Sequence, residues 1–162
     1  MSTETKLESI EEALLHHGVF IGPTMGTSML PMLKSGRDTI VVKPKQGKLK
    51  PFDVALYKRN DKYVLHRVLK ETDTGYIIRG DNCYVNEVIP EKDVIGVLTE
   101  FFRKDKHYFC TDEKYLRYAK KRVQQYKVRR FFVLTKRKAV AAIKKPIKWI
   151  LRWDKRKNKR EK

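Results

Sequence analysis

Hydrophobic positions change their spacing twice along this chain. Near the amino terminus Leu7, Ile10 and Leu14 recur at i, i+3 and i+7, the period of one helical face. Residues 4–17 are therefore expected to form a short amphipathic helix, capped by Thr3 or Thr5 and ended by Gly18. The period then shortens. The runs TIVVK, DVALYK, YVLHRVLK, GYIIRG and VIGVLTEFF are rich in β-branched and aromatic residues and separated by turn formers, which predicts five or six strands. Asn60-Asp61 and Asp73-Thr74-Gly75 are the hairpin turns. After Cys110 a helical period returns: between Asp112 and Leu134, Leu116, Ala119, Val123 and Tyr126 share one stripe among lysines and arginines. Pro146 ends or kinks that helix near Lys145 and opens a second short helix carrying Ile147, Trp149, Ile150, Leu151 and Trp153. The final run, DKRKNKREK, is expected to be disordered. The fold class is α+β: a small, mostly antiparallel β-domain with an amino-terminal helix over residues 1–110, then a basic helical extension over residues 111–162.

Charge sharpens that division. Residues 1–100 carry 14 Lys/Arg against 14 Asp/Glu, whereas residues 101–162 carry 24 against 5, so the entire net charge of +19 lies in the last 62 residues. A near-neutral domain followed by a basic segment implies an anionic partner for the segment. The longest apolar runs, VIGVL and AVAAI, are five residues long; a spanning helix needs roughly 20. The acidic start is no secretory signal, and two cysteines cannot form a disulfide framework, so a reduced, cytoplasmic setting is expected. His16, His17 and His107 show no metal-ligand spacing, and no metal or other cofactor is expected.

One loop carries candidate chemistry. In MGTSMLPML, Ser28 follows Gly26 and Thr27. A serine hydroxyl is a weak nucleophile until a base takes its proton, and alone such a serine reads as a turn residue. His66, inside the strand YVLHRV, titrates in the right range to be that base. Alternation puts Val64, His66 and Val68 on one face and Leu65 and Arg67 on the other. The run RGDN supplies Asp81 after the next strand, with Glu87 six residues beyond.

The ordered set GTSMLPML-x-x-GRD, LKPFDVALYK, YVLHRV, IIRGDN and VIGVL resembles the catalytic domain of type I signal peptidases and LexA-like self-cleaving peptidases. The resemblance runs from about Pro23 to Phe102, half of the chain. It implies a serine endopeptidase fold in which Ser28 is the nucleophile, His66 the base and Asp81 the supporting acid, with Glu87 as a second acidic residue. A histidine in place of the commoner lysine is similar to the endoplasmic-reticulum and archaeal enzymes. The Ser28 N–H would then donate to the oxyanion, and Gly26, Thr27 and Met29 would line the cleft. The substrate implied is a peptide or protein, such as a precursor or leader.

This chain departs from the family pattern in three places. Gly26-Thr27 stands where many members have Ser-Gly, leaving only Thr27 to supply the hydroxyl that assists the oxyanion hole. Arg37 and Phe52 interrupt the usual Gly-Asp pairs before Asp38 and Asp53. The amino-terminal spanning anchor is missing, which points to a processing enzyme that is not anchored. The basic residues 112–157, with Phe131, Phe132, Trp149 and Trp153, have the composition of a segment lying on an anionic membrane, peripheral to its inner face. Packing on the β-domain, recognition of a partner protein and, less well, binding of nucleic acid fit the same composition. A non-catalytic binding module whose basic helices do the work is the rival to the peptidase.

Overall fold

The computed structural model of the protein describes residues 9–136. Its first element is α1 (Ile10–His17), which starts later than the periodicity suggests. Ser9, not Thr3 or Thr5, is the N-cap: its side chain accepts from the Glu12 N–H at 3.1 Å while Glu12 reaches back to the Ser9 N–H at 2.7 Å. This reciprocal box contributes about 1 kcal/mol. Gly18 closes the helix in the left-handed conformation. Leu14 is buried and Ile10 packs beside it, which ties α1 to the domain.

Eight antiparallel strands follow: β1 (Phe20–Pro23), β2 (Asp38–Lys43), β3 (Val54–Arg59), β4 (Lys62–Thr72), β5 (Gly75–Arg79), β6 (Glu87–Pro90), β7 (Val94–Arg103) and β8 (Lys106–Phe109). They form one curled sheet in the order β1-β2-β7-β3-β4-β5-β6, with β8 paired to β7, so the architecture is α+β. Asn60-Asp61 and Asp73-Thr74 make the expected two-residue hairpins, joining Arg59 to Lys62 and Thr72 to Gly75. The strands not expected from sequence, β1, β6 and β8, are only four residues each and carry little periodicity.

Period-2 alternation divides the core in two. Val54 and Leu56 of β3 join Leu14, Ile40, Val42, Leu98 and Phe101 on one face. Ala55 and Tyr57, one residue along, join Val68, Tyr76, Ile78 and Val94 on the other. His66 pairs with Ala55 and Arg67 with Val54, so these neighbours point to opposite faces. Both are buried.

The turn before β3 shows the setting of Phe52, which stands where glycine was expected. Asp53 N–H donates to Lys50 O at 3.1 Å across Pro51-Phe52, and Phe52 has φ +83°. That is the third position of a type II turn, where glycine is the ordinary solution. Phe52 holds it while packing its ring against the first core face.

The compact unit extends to Gln124 and takes in α2 (Glu113–Gln124), beyond the boundary expected at residue 110. The stripe α2 buries matches the expected one at Ala119, with Val123 half-buried, but not at Leu116. Tyr115 and Ala119 are in the core and Tyr118 and Arg122 are half-buried, whereas Leu116 is exposed. Gln125 interrupts the expected continuous helix, and residues 126–136 form a separate helical stretch in a second unit. The expected features at Pro146, Trp149 and Trp153 and the charged carboxyl-terminal run lie outside the described residues. Among the described residues no helix is long and apolar enough to cross a membrane.

Candidate active site

The loop from Thr24 to Arg37 joins β1 to β2 and is pinned from below. Met29, Met32 and Leu33 are buried in the first core face, which leaves Ser28 half-buried and Gly26 and Thr27 exposed above them. Leu30 N–H donates to Thr27 O at 3.2 Å and Leu33 N–H to Met29 O at 2.9 Å, closing two successive turns. Asp38 ends the loop. Burial pushes its pKa up, but a bidentate Arg37 (2.7 and 2.6 Å) and the Lys34 N–H (2.9 Å) hold it below the usual carboxylate value. Arg37, an oddity in the motif, is thus a ligand of the aspartate it precedes.

His66 is held through Nδ1. The Tyr57 hydroxyl lies 3.1 Å from Nδ1 and donates to Glu87 Oε2 at 2.9 Å; Glu87 Oε1 is itself 3.4 Å from Nδ1. A carboxylate only accepts, so Tyr57 gives its single proton to Glu87 and its oxygen accepts from Nδ1–H. Nε2 is then the unprotonated nitrogen. Arg59 anchors Glu87 from outside, with Nη1 to Oε2 at 2.8 Å. Burial lowers the His66 pKa below the usual histidine value, and Glu87 partly opposes it. At neutral pH the ring is uncharged, as a general base requires.

Nε2 faces the Gly-Asp-Asn turn. A Cβ on Gly80 would lie 2.7 Å from Ser28 O, 2.8 Å from Cys83 Sγ and 2.9 Å from His66 Nε2, so only glycine permits this approach. Asn82 N–H donates to Ser28 O at 2.7 Å and its side-chain amide to Thr27 O at 3.2 Å, lacing the turn to the Ser28 loop. The Ser28 carbonyl therefore sits against Gly80. The Ser28 hydroxyl and N–H make no hydrogen bond to any described residue. Burial, with Glu87, raises the Cys83 thiol above its ordinary value.

Asp81 has another partner. Its carboxylate takes two hydrogen bonds from Arg67, each 2.8 Å, and one from Tyr118 Oη at 3.4 Å. Its influence on His66 is through space alone, and weaker than that of Glu87. The orienting place expected for Asp81 is occupied by Tyr57 and Glu87. Arg67 completes its shell with Phe52 O at 2.9 Å, Tyr115 Oη at 3.0 Å and Met32 Sδ at 3.1 Å, so the pair fixes the turn from the opposite face.

Beside Ser28 opens an apolar cavity of about 530 Å³ whose walls include Phe20, Met29, Leu33, Leu56, Tyr63 and Leu65, with Ile10 of α1 at its edge. Gly26, Met29 and Ser28 border it together, whereas Thr27 does not. Among the described residues, no group of three or more His, Cys, Asp or Glu gathers as a metal site. Cys83 and Cys110 are free thiols.

Sequence reasoning missed Tyr57, Arg59 and the α2 residues. Tyr57 and Arg59 carry a faint signal, lying on one side of a strand that pairs with the histidine strand. A comparison with protein-family models finds no match, and a comparison with curated proteins finds none either.

Proposed function

We propose that the chain is a serine endopeptidase of the signal-peptidase and LexA-like type, acting on a peptide or protein precursor. The observation that carries this reading is the setting of His66: Nδ1 lies against Tyr57 and Glu87, and Nε2 faces the turn against which Ser28 is laced. Ser28 Oγ attacks the peptide carbonyl while Nε2 takes its proton and passes it to the leaving amine; water then resolves the acyl-enzyme by the reverse route. The Ser28 N–H, engaged by no described residue, donates to the developing oxyanion. Nucleophile and base draw together when substrate excludes water, as catalytic hydrogen bonds commonly tighten only in the complex. An extended substrate pairs along β1, the sheet edge that runs directly into the nucleophile loop, and sets a side chain into the adjoining cavity. Glu87 and Tyr57 orient the base, and Asp81 holds the turn through Arg67.

The full chain treated with a fluorophosphonate, beside Ser28→Ala and His66→Ala, tests this. Labelling at Ser28 that both substitutions abolish supports the reading. A wild type that is not labelled, or is labelled elsewhere, refutes it.

A separate observation favours the second reading for the basic segment. Val128, Phe131 and Phe132 are 58, 64 and 65 % exposed and share one arc of the 126–136 helix with Thr135, while Arg129, Arg130 and Lys136 lie off it. Such a face lies on an anionic membrane, its cations among the headgroups. Within the expected 112–157 binding region, Tyr115 and Ala119 are buried in the core, while Lys114, Arg117, Lys120 and Lys121 of the same helix stay exposed. Co-sedimentation with phosphatidylserine vesicles, abolished by Phe131→Ser with Phe132→Ser, is the expected result; salt-sensitive RNA binding without vesicle binding would reverse it.

A further inference from the structure

The resemblance to known peptidases ends near Phe102, yet a residue of α2 grips both halves of the candidate site. Arg122 Nη2 donates to Leu30 O at 3.1 Å, in the nucleophile loop, and Nε donates to Asp81 O at 3.2 Å, in the Gly-Asp-Asn turn. We propose that Arg122 is a positioning residue that sets the spacing between Ser28 and His66. Its catalytic consequence rests on the peptidase reading; its role in holding the two loops does not.

Three observations support this. The loops are far apart in sequence, and their direct ties run through Asn82, from its N–H to Ser28 O and from its side chain to Thr27 O. Those ties act at the front of the loop, whereas Arg122 takes the carbonyl two residues further on, so together they fix its direction as well as its distance. The planar guanidinium presents its donors in a rigid fork, which suits two carbonyls at a set separation better than a flexible ammonium does. Finally, α2 is a fixed platform. Ala119 is completely buried, Tyr115 is in the core and accepts from Arg67, and Tyr118 reaches the Asp81 carboxylate. One helix therefore contacts the turn through its backbone and its carboxylate alike.

Misplacing a reacting group by about 1 Å can cost 10²-fold in rate. Arg122→Ala should slow fluorophosphonate labelling of Ser28 and lower kcat by about 10- to 100-fold, with KM little changed because no residue of α2 lines the apolar cavity. Arg122→Lys, which keeps the charge but loses the fork, should recover only part of the rate. The acid limb of the pH profile should stay in place, since Arg122 is not among the groups that shift His66. Amide hydrogen exchange reads the clamp without any chemistry: protection should fall at residues 27–33 and 80–83 in Arg122→Ala and stay unchanged in β3 and β4. Unchanged exchange in both loops overturns the proposal, as does a labelling rate within twofold of wild type. Full recovery by Arg122→Lys overturns the argument from the fork and with it the proposal. Should the wild type fail to label at Ser28 while the exchange changes as stated, the peptidase reading falls and the clamp stands.

Discussion

The Tyr57 hydroxyl bridges His66 Nδ1 and the Glu87 carboxylate, 3.1 Å from one and 2.9 Å from the other. Removing the carboxylate charge removes the largest influence that raises the His66 pKa. Glu87→Gln should therefore move the His66 titration, followed by NMR, to lower pH. It should also lower kcat by about 10²-fold or more, because the amide no longer fixes the proton on Nδ1. An unchanged titration would show that Glu87 does not govern the base.

Burial keeps His66 neutral, so the acid limb of kcat/KM should fall below the ordinary histidine value of about 6.5. The same shift acts on stability. Between the lowered folded pKa and about 6.5 the unfolded chain binds the extra proton, so the contribution is whole above 6.5 and is lost as the pH falls through the folded value. Urea unfolding across that window should show the decline, and His66→Gln should flatten it.

Gly80→Ala places a methyl group 2.7 Å from a backbone carbonyl that cannot swing aside. We expect a fall in Ser28 labelling of at least tenfold and destabilisation of about 1–3 kcal/mol from overpacking. Thermal unfolding and labelling rates read the two separately. Wild-type behaviour in both would mean that the turn and the Ser28 loop are not in contact.

Arg67 is fully buried and Asp81 nearly so. Asp81→Ala leaves a buried guanidinium without its carboxylate, which costs about 3–5 kcal/mol. Urea midpoints should register this loss. His66 should titrate closer to wild type than it does in Glu87→Gln, since Asp81 is the smaller influence. A stable Asp81→Ala protein with a displaced His66 titration would instead make Asp81 the partner of the base.

The cavity beside Ser28 is large and apolar. Peptides with leucine at the residue supplying the scissile carbonyl should be cleaved at least about tenfold more efficiently than those with alanine, the usual return on extra methylenes in such a pocket. Leu65→Trp, which fills the space, should reverse the order. Equal rates for leucine and alanine would mean that the side chain binds elsewhere.

Much of this was legible in the chain because it depends on local rules. β-Branched and aromatic content gave the longer strands, alternation assigned His66 and Arg67 to opposite faces, and turn chemistry gave both hairpins. Other features depend on what register brings together. Tyr57 and Arg59 gain their roles only because β3, β4 and β6 carry them to His66 and Glu87. On α2 the expected stripe is buried at Ala119 and in part at Val123 but not at Leu116, because the helix also buries Tyr115 and half-buries Tyr118 and Arg122 for their polar ends. Asp81 kept its place in the motif but is bonded to Arg67, which sequence order alone could not reveal.

Because β4 alternates, the surroundings of the His66 ring and the position of the Ser28 loop rest mainly on different residues, with only the weaker field of Asp81 reaching His66 from the far side. Tyr57, Glu87 and Arg59 act on the ring from one side of the strand. Arg67 and Asp81 act on the turn from the other, aided by α2. Substitutions on one side can retune the working pH while leaving the geometry of attack intact, and substitutions on the other can do the reverse. On the peptidase reading, proton affinity and alignment can then vary largely separately.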